Sequence, residues 1–120
     1  MEKPKSGQLI LLQKMYDLVK FGYQTVKQFP KAEKFSMGAA IKESLNLMLG
    51  YTVAASEKSN PKSDLQKLDI ENKKMRAFVK MAMEFSFISM EKYEQWSSKS
   101  VEIGKLLGGW LRSLNGDPNK

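Results

Sequence analysis

Apolar and polar residues follow the 3.6-residue period of an amphipathic helix in four successive stretches of the chain, and no stretch shows sustained strand-like alternation. Helix-breaking residues at Pro30 and Pro61, and a candidate capping residue at Ser89, separate the stretches. The pattern predicts helices over about residues 8–28, 36–58, 64–87 and 90–114. We therefore predict an all-α protein: one domain over residues 1–120, folded as an antiparallel up-down four-helix bundle with short disordered tails.

The same periodicity predicts which residues face the core. The first helix should turn one face inward, formed by Leu12, Met15, Tyr16, Val19, Tyr23 and Val26. Ser36, then Ser63 or Asp64, and then Ser89 are candidate N-caps of the later helices. In the last helix, Gly104 and Gly108 border the apolar face one turn apart, which predicts close approach of a neighbouring helix backbone.

The third helix carries more apolar surface than a bundle core requires. Beside its core stripe, a second apolar group consists of Ile70, Ala77, Phe78, Met81 and Phe85. A helix that is apolar on two sides is normally buried on two sides, so this group predicts an oligomer or partner interface. Trp110 is a further candidate anchor of the core or of that interface. The alternative is that these are scattered exposed apolar residues, which are common on protein surfaces.

The charged residues add a prediction about partners. The chain has 20 Lys and Arg against 13 Asp and Glu, which gives a net charge of +7 and a pI near 9.6. Such a balance favours an acidic partner such as nucleic acid. Lys73, Arg76 and Lys80 lie at i, i+3 and i+7 in the narrow polar sector of the third helix and form one stripe that can follow a phosphate backbone. The alternative is a solvated face, partly balanced by Asp69 and Glu84.

A second concentration of charge lies near the amino terminus, where residues 1–34 carry seven lysines against three acidic residues, a net charge of +4. Lys20 and Lys27 share a helix face, and Lys31 and Lys34 follow in the next turn, so a continuous basic patch can form there.

The residue types also exclude several functions. The chain has no cysteine and no histidine, which removes thiolate chemistry, the commonest metal ligands and the usual general base near neutral pH. The best remaining catalytic candidates are Glu91 with Glu94, or Glu102 near Lys105, but helical carboxylates at such spacing typically form surface ion pairs with nearby cations. We therefore predict no catalytic residues, no metal and no cofactor. No apolar run reaches the roughly 18 residues of a membrane span, and the charges at Lys14, Asp17 and Lys20 argue against a cleaved signal peptide, so we expect a cytoplasmic protein.

Two segments resemble a known family. Phe-Pro-Lys-Ala-Glu-Lys-Phe-Ser-Met-Gly at residues 29–38 is similar to the turn between the first two helices of a four-helix-bundle superfamily. Tyr-Glu-Gln at 93–95 through Ile-Gly-Lys-Leu-Leu-Gly-Gly-Trp-Leu at 103–111 is similar to its final helix. That superfamily contains the accessory variability determinant of diversity-generating retroelements and the proteins encoded in intervening sequences of bacterial 23S ribosomal RNA genes. The resemblance covers about residues 8–114.

The carboxy-terminal motif and the positive charge are more similar to the retroelement accessory protein. That resemblance implies a homopentameric barrel of bundles that associates with the element's reverse transcriptase and with template RNA or cDNA. Such a protein supports mutagenic reverse transcription and retrohoming without being the polymerase. The alternatives are a ribosomal intervening-sequence protein, or an oligomeric adaptor that binds acidic protein partners.

Pattern and resemblance together give a hypothesis about individual residues. Lys73, Arg76 and Lys80 contact phosphates, and a pentamer would display several copies of this stripe. The remaining candidate contacts are Lys20, Lys27, Lys31, Lys34, Lys105 and Arg112.

Overall fold

The computed structural model describes residues 6–115 and, within them, contains four long helices, one short helix and no strand. The helices are α1 (Ser6–Val26), α2 (Lys31–Lys34), α3 (Met37–Glu57), α4 (Lys62–Glu84) and α5 (Met90–Leu114). The predicted all-helical class is therefore confirmed for this part of the chain. The frayed tail expected at residues 117–120 lies outside it, as do Lys3 and Lys5.

The four long helices pack in a ring in which α1 touches α3 and α5, while α4 touches the same two helices from the other side. Neighbours in the ring run antiparallel. The ion pair between Lys14 and Glu102 lies near one end of α1, whereas Gly22, further along α1, lies against Trp96, earlier in α5. Because α1 and α4 each lie between α3 and α5, they are diagonal in the ring, and they present opposite sides of the bundle to solvent.

The core forms where the inward faces of the four long helices meet. Trp96 of α5 is fully buried, its ring packs edge-on against Phe21 at 5.7 Å, and its Nε1 donates to the sulfur of Met75 at 3.0 Å. The helical period of the later segments predicts inward stripes that include Ile41 in α3, Leu68 in α4 and Leu107 in α5, and all three residues are fully buried.

In α1 the predicted face was wrong by a fraction of a turn. Leu11 and Leu18 are fully buried, whereas Tyr16 is exposed and Leu12 is only partly covered. The run Leu-Ile-Leu-Leu at residues 9–12 covers every side of one turn, so hydrophobicity alone did not fix how the helix is rotated.

The ends of two helices differ from the predicted positions. Helix α1 ends at Val26, three residues before Phe29, because the chain turns there and buries Phe29 against Phe87. Helix α4 ends at Glu84, not at residue 87. Ser86 adopts a positive φ of 65° and its N–H donates to the Met83 carbonyl, while the Phe87 N–H donates to the Ala82 carbonyl. This is a Schellman cap, formed here without glycine.

Only one of the predicted N-caps makes its side-chain hydrogen bond. Ser89 accepts from the Lys92 N–H at 3.1 Å and caps α5, as predicted. Ser36 occupies the N-cap of α3 without such a bond, since its hydroxyl donates back to the Glu33 carbonyl at 3.3 Å. Neither Ser63 nor Asp64 caps α4, whose N-cap is Pro61. Asp64 is instead buried, 2.8 Å from Lys58 Nζ.

The close approach of two helices occurs at Gly22 and not at the glycines predicted for it. A Cβ added to Gly22 would collide with Leu45 Cδ1 and lie 3.1 Å from the Trp96 ring. Gly104 and Gly108 leave ordinary spacing, with the nearest atoms at 3.7 Å and 3.4 Å from an added Cβ. Helix packing at α1 therefore depends on the missing side chain of Gly22.

We expect Gly22→Ala to destabilise the protein by about 1–3 kcal/mol, because the added methyl group forces core side chains out of their positions. Gly50→Ala is the matched control, since Gly50 lies within α3 and an added Cβ would meet no atom within 4 Å apart from its chain neighbours and its own helix backbone. That change should stabilise by up to about 1 kcal/mol through helix propensity alone. Denaturant unfolding of both variants checks the prediction, and equal effects would show that the close approach at Gly22 is unimportant.

Of the helices described, none is both long and apolar enough to cross a membrane.

Candidate nucleic-acid interface

Two buried polar contacts fix the rotation of α4 between its neighbours. On one side Asn72 and Ser100 of α5 bond to each other twice: the Ser100 hydroxyl donates to Asn72 Oδ1 at 2.7 Å, and Asn72 Nδ2 donates to the Ser100 carbonyl at 3.2 Å. On the other side the Ser44 hydroxyl of α3 donates to Glu71 Oε2 at 2.6 Å. Unpaired buried polar groups are costly, so these contacts hold α4 in one orientation. Its outer surface then has two flanks, one towards α5 and one towards α3.

The flank of α4 towards α5 carries the predicted basic stripe. Lys73, Arg76 and Lys80 are all exposed along it. Lys73 lies 3.1 Å from Asp69, so part of its charge is balanced as the alternative interpretation expected. Within residues 6–115, Arg76 and Lys80 have no carboxylate in ion-pair contact, and Glu84 pairs with no cation. Two of the three stripe charges are therefore available to an external anion.

A cleft between α4 and α5, with a volume of about 260 Å³, runs beside the basic stripe. Its α4 wall consists of the three cations together with Ala77 and Val79, and its α5 wall consists of Tyr93, Trp96 and Ser97. The register of the two helices follows from the Trp96 to Met75 contact. This side of the bundle therefore has a concave surface with cations on one wall and aromatic residues on the other.

The other predicted cations do not join the stripe in one continuous patch. Lys20 is exposed on α1, which is diagonal to α4, and Lys27 is exposed in the turn directly after α1. Lys31 and Lys34 lie in α2 at the end of the bundle. Lys105 is closer to the stripe, because it lines a shallow groove on α5 that also includes Tyr93 and Ser97. Arg112 is exposed two turns further along α5.

The flank of α4 towards α3 carries much of the second apolar group. Ile70, Met81 and Phe85 are 66%, 41% and 56% exposed. Phe78 is partly buried and lines an apolar hollow with Phe85 and Met37 of α3. Ala77 borders the basic cleft instead, and Trp110 packs on the core at the other end of α5. We name Ile70, Phe78, Met81 and Phe85 the apolar flank.

Sequence reasoning missed two surface features. Phe35 is 85% exposed beside α2, and no helix period could place it because it lies in the connection. Phe21 of α1 has the ammonium groups of Lys92 and Lys99 at 5.4 Å and 5.2 Å from its ring centroid. This contact joins α1 to α5 and is visible only in the folded structure. Cation–π contacts of this kind stabilise helix packing modestly.

The carboxylates singled out as the best catalytic candidates do not form a reactive group. Glu91 and Glu94 are exposed, and Glu102 pairs with Lys14 at 3.4 Å, which corrects the expected pairing with Lys105. Among the residues that the structure describes, no three acidic side chains are close enough together to hold a metal ion.

These observations define the class of the protein. It is a helical bundle in which one helix, α4, carries a basic flank towards α5 and an apolar flank towards α3. Residues 9–114 match the family model described as bAvd-like, so the chain belongs to the bAvd-like family. The resemblance to the accessory variability determinant is thereby confirmed at the level of the family. A comparison with curated proteins finds no match.

Proposed function

We propose that this protein is a non-catalytic accessory protein of a diversity-generating retroelement, and that it binds the template RNA or cDNA together with the element's reverse transcriptase. Membership of the bAvd-like family supports this role. The observation that carries the nucleic-acid part is the basic flank of α4, where Arg76 and Lys80 have no carboxylate partner within residues 6–115. Unpaired cations on a rigid helix attract phosphates without reading sequence.

The apolar flank supports assembly as a second part of the proposal. Exposed apolar residues that share one helix flank are typical of protein–protein contact surfaces. We propose that this flank contacts a second copy of the chain in a homopentamer, with the reverse transcriptase as a further partner. Each copy then contributes one basic flank, and several flanks acting together raise the affinity for a long strand.

The experiment is a salt titration of the purified full chain with RNA and DNA oligonucleotides of one length, followed by fluorescence anisotropy. We expect log affinity to fall linearly with log salt concentration. Three phosphate contacts on a single strand correspond to a slope of about −2 for each protomer engaged. Such a slope would support phosphate binding through the stripe.

An oligomeric adaptor that binds acidic protein partners is the competing function, since a basic flank also fits a carboxylate-rich surface. The same titration separates the two. Absence of RNA and DNA binding at low salt would contradict the proposed function and favour the adaptor.

A further inference from the structure

The cleft beside the basic stripe combines three kinds of chemistry in a small volume. Cations line its α4 wall, and two aromatic residues, Tyr93 and the fully buried Trp96, line its α5 wall. The ring of Tyr93 is partly buried against the core, so the wall that it offers is rigid. A flat apolar wall next to charged groups is suited to a ligand with an aromatic ring on one part and an anion on another.

Two polar groups in the cleft have no partner in the part of the chain that the structure describes. The hydroxyls of Tyr93 and Ser97 make no hydrogen bond to any atom of residues 6–115. Each hydroxyl can both donate and accept, as the edge of a nucleobase requires. Ser97 stands one turn from Tyr93 on the same helix, so both hydroxyls border one cleft.

The volume limits what the cleft can take. Pockets for drug-sized ligands measure about 300–1,000 Å³. At about 260 Å³ the cleft is smaller and suits one ring system, with the rest of the ligand outside. An apolar hollow on the other side of α4, lined in part by Phe78, Phe85 and Phe87, has no cation in its wall. Of the cleft and the apolar hollow, only the α4–α5 cleft therefore combines space for one ring system with positive charge.

We propose that the α4–α5 cleft binds one unpaired nucleobase, stacked on Tyr93, while Arg76 and Lys80 hold the flanking phosphates. This inference rests on the proposed nucleic-acid function and adds the class of ligand: single-stranded RNA or DNA. In a duplex the bases are paired and stacked, and extracting one breaks both kinds of contact. A protein that relies on the cleft therefore prefers single strands to duplexes of equal charge.

The experiment compares a single-stranded oligothymidylate with an abasic oligonucleotide of the same length, which carries the same phosphates but no bases. Both are titrated into the full chain at one salt concentration. Stacking of a base on an aromatic side chain strengthens binding by about 5- to 100-fold. We expect the wild type to bind oligothymidylate more tightly than the abasic strand by a factor in that range, and Tyr93→Leu to bind the two equally.

Two variants control for indirect effects. Tyr93→Phe keeps the ring and should keep most of the preference for bases. Tyr51→Leu makes the same change as Tyr93→Leu at another partly buried tyrosine, on α3 and away from the cleft, and should leave the preference intact.

The possible results are distinct. Equal affinity of the wild type for the two strands overturns the base-binding cleft and leaves phosphate binding standing. A preference that survives Tyr93→Leu also overturns it. No binding of either strand at low salt contradicts the proposed function itself, and the cleft proposal with it.

Discussion

Reversing the charge of the α4 stripe in Lys73→Glu/Arg76→Glu/Lys80→Glu should weaken nucleic-acid binding on the order of 100-fold or more at low salt. The three side chains are exposed, so the fold does not depend on them. Their loss removes phosphate contacts, and the new carboxylates repel the backbone. Because each phosphate contact on a single strand contributes about 0.7 to the magnitude of the salt slope, that magnitude should fall by about two for each protomer engaged.

Anisotropy titrations of wild type and variant at matched salt measure the affinity and its salt slope. Circular dichroism and sedimentation check that the fold and the assembly are intact. Asp69 provides an internal check on the role of Lys73, because its carboxylate partly balances the charge of the Lys73 ammonium group. Asp69→Asn should therefore strengthen binding modestly. Unchanged affinity in the triple variant would show that the stripe is only a solvated face.

The second large effect concerns assembly. Ile70→Asp/Met81→Asp places two carboxylates in the apolar flank, and we expect the proposed homopentamer to dissociate at micromolar concentration. Burying an unpaired charge at an interface costs at least about 3 kcal/mol, which corresponds to more than a 100-fold weakening. Sedimentation velocity over a concentration series measures the change.

A matched control separates this effect from a general loss of stability. Ile10 and Val53 are exposed to a similar degree as Met81 but lie on α1 and α3. Ile10→Asp/Val53→Asp should leave the oligomer and its melting temperature nearly unchanged. If both double variants sediment like the wild type, the apolar flank is not the assembly surface.

The parts of the fold that could be predicted are those decided within one helix. Ser89 caps α5 through a contact three residues away, and the inward faces of α3, α4 and α5 follow from period alone. The rotation of α1 could not be predicted, because Gly22 and the small residue Thr25 lie on its contact line and carry no hydropathy signal. The end of α4 was missed because its Schellman cap uses Ser86, whose sequence signal is weak.

The same distinction applies to the candidate site: features within one helix could be predicted, and features formed by several helices could not. Lys73, Arg76 and Lys80 could be grouped because they share one helix, and the structure places them on one exposed flank. The cleft beside them is formed by two helices and could not be predicted from either one alone. Tyr93 shares the apolar face of the last helix with Trp96, so the helical period predicts a core residue, but its side chain is only partly buried and lines the cleft. Whether the α1 lysines adjoin the stripe depends on the order of helices around the ring. That order is set by packing and not by any one segment.

The most direct test of the basic flank compares two pairs of exposed lysines on opposite sides of the bundle. Lys73 and Lys80 lie on the flank of α4 towards α5, whereas Lys20 lies on the diagonal helix α1 and Lys27 follows directly after that helix. The two lysines of each pair are seven positions apart, and reversing either pair changes the net charge equally. We expect Lys73→Glu/Lys80→Glu to weaken oligonucleotide binding at least tenfold more than Lys20→Glu/Lys27→Glu, at matched salt and with fold and oligomeric state verified as equal to the wild type. Equal losses would mean that only net charge attracts the strand, and would contradict an α4 nucleic-acid interface.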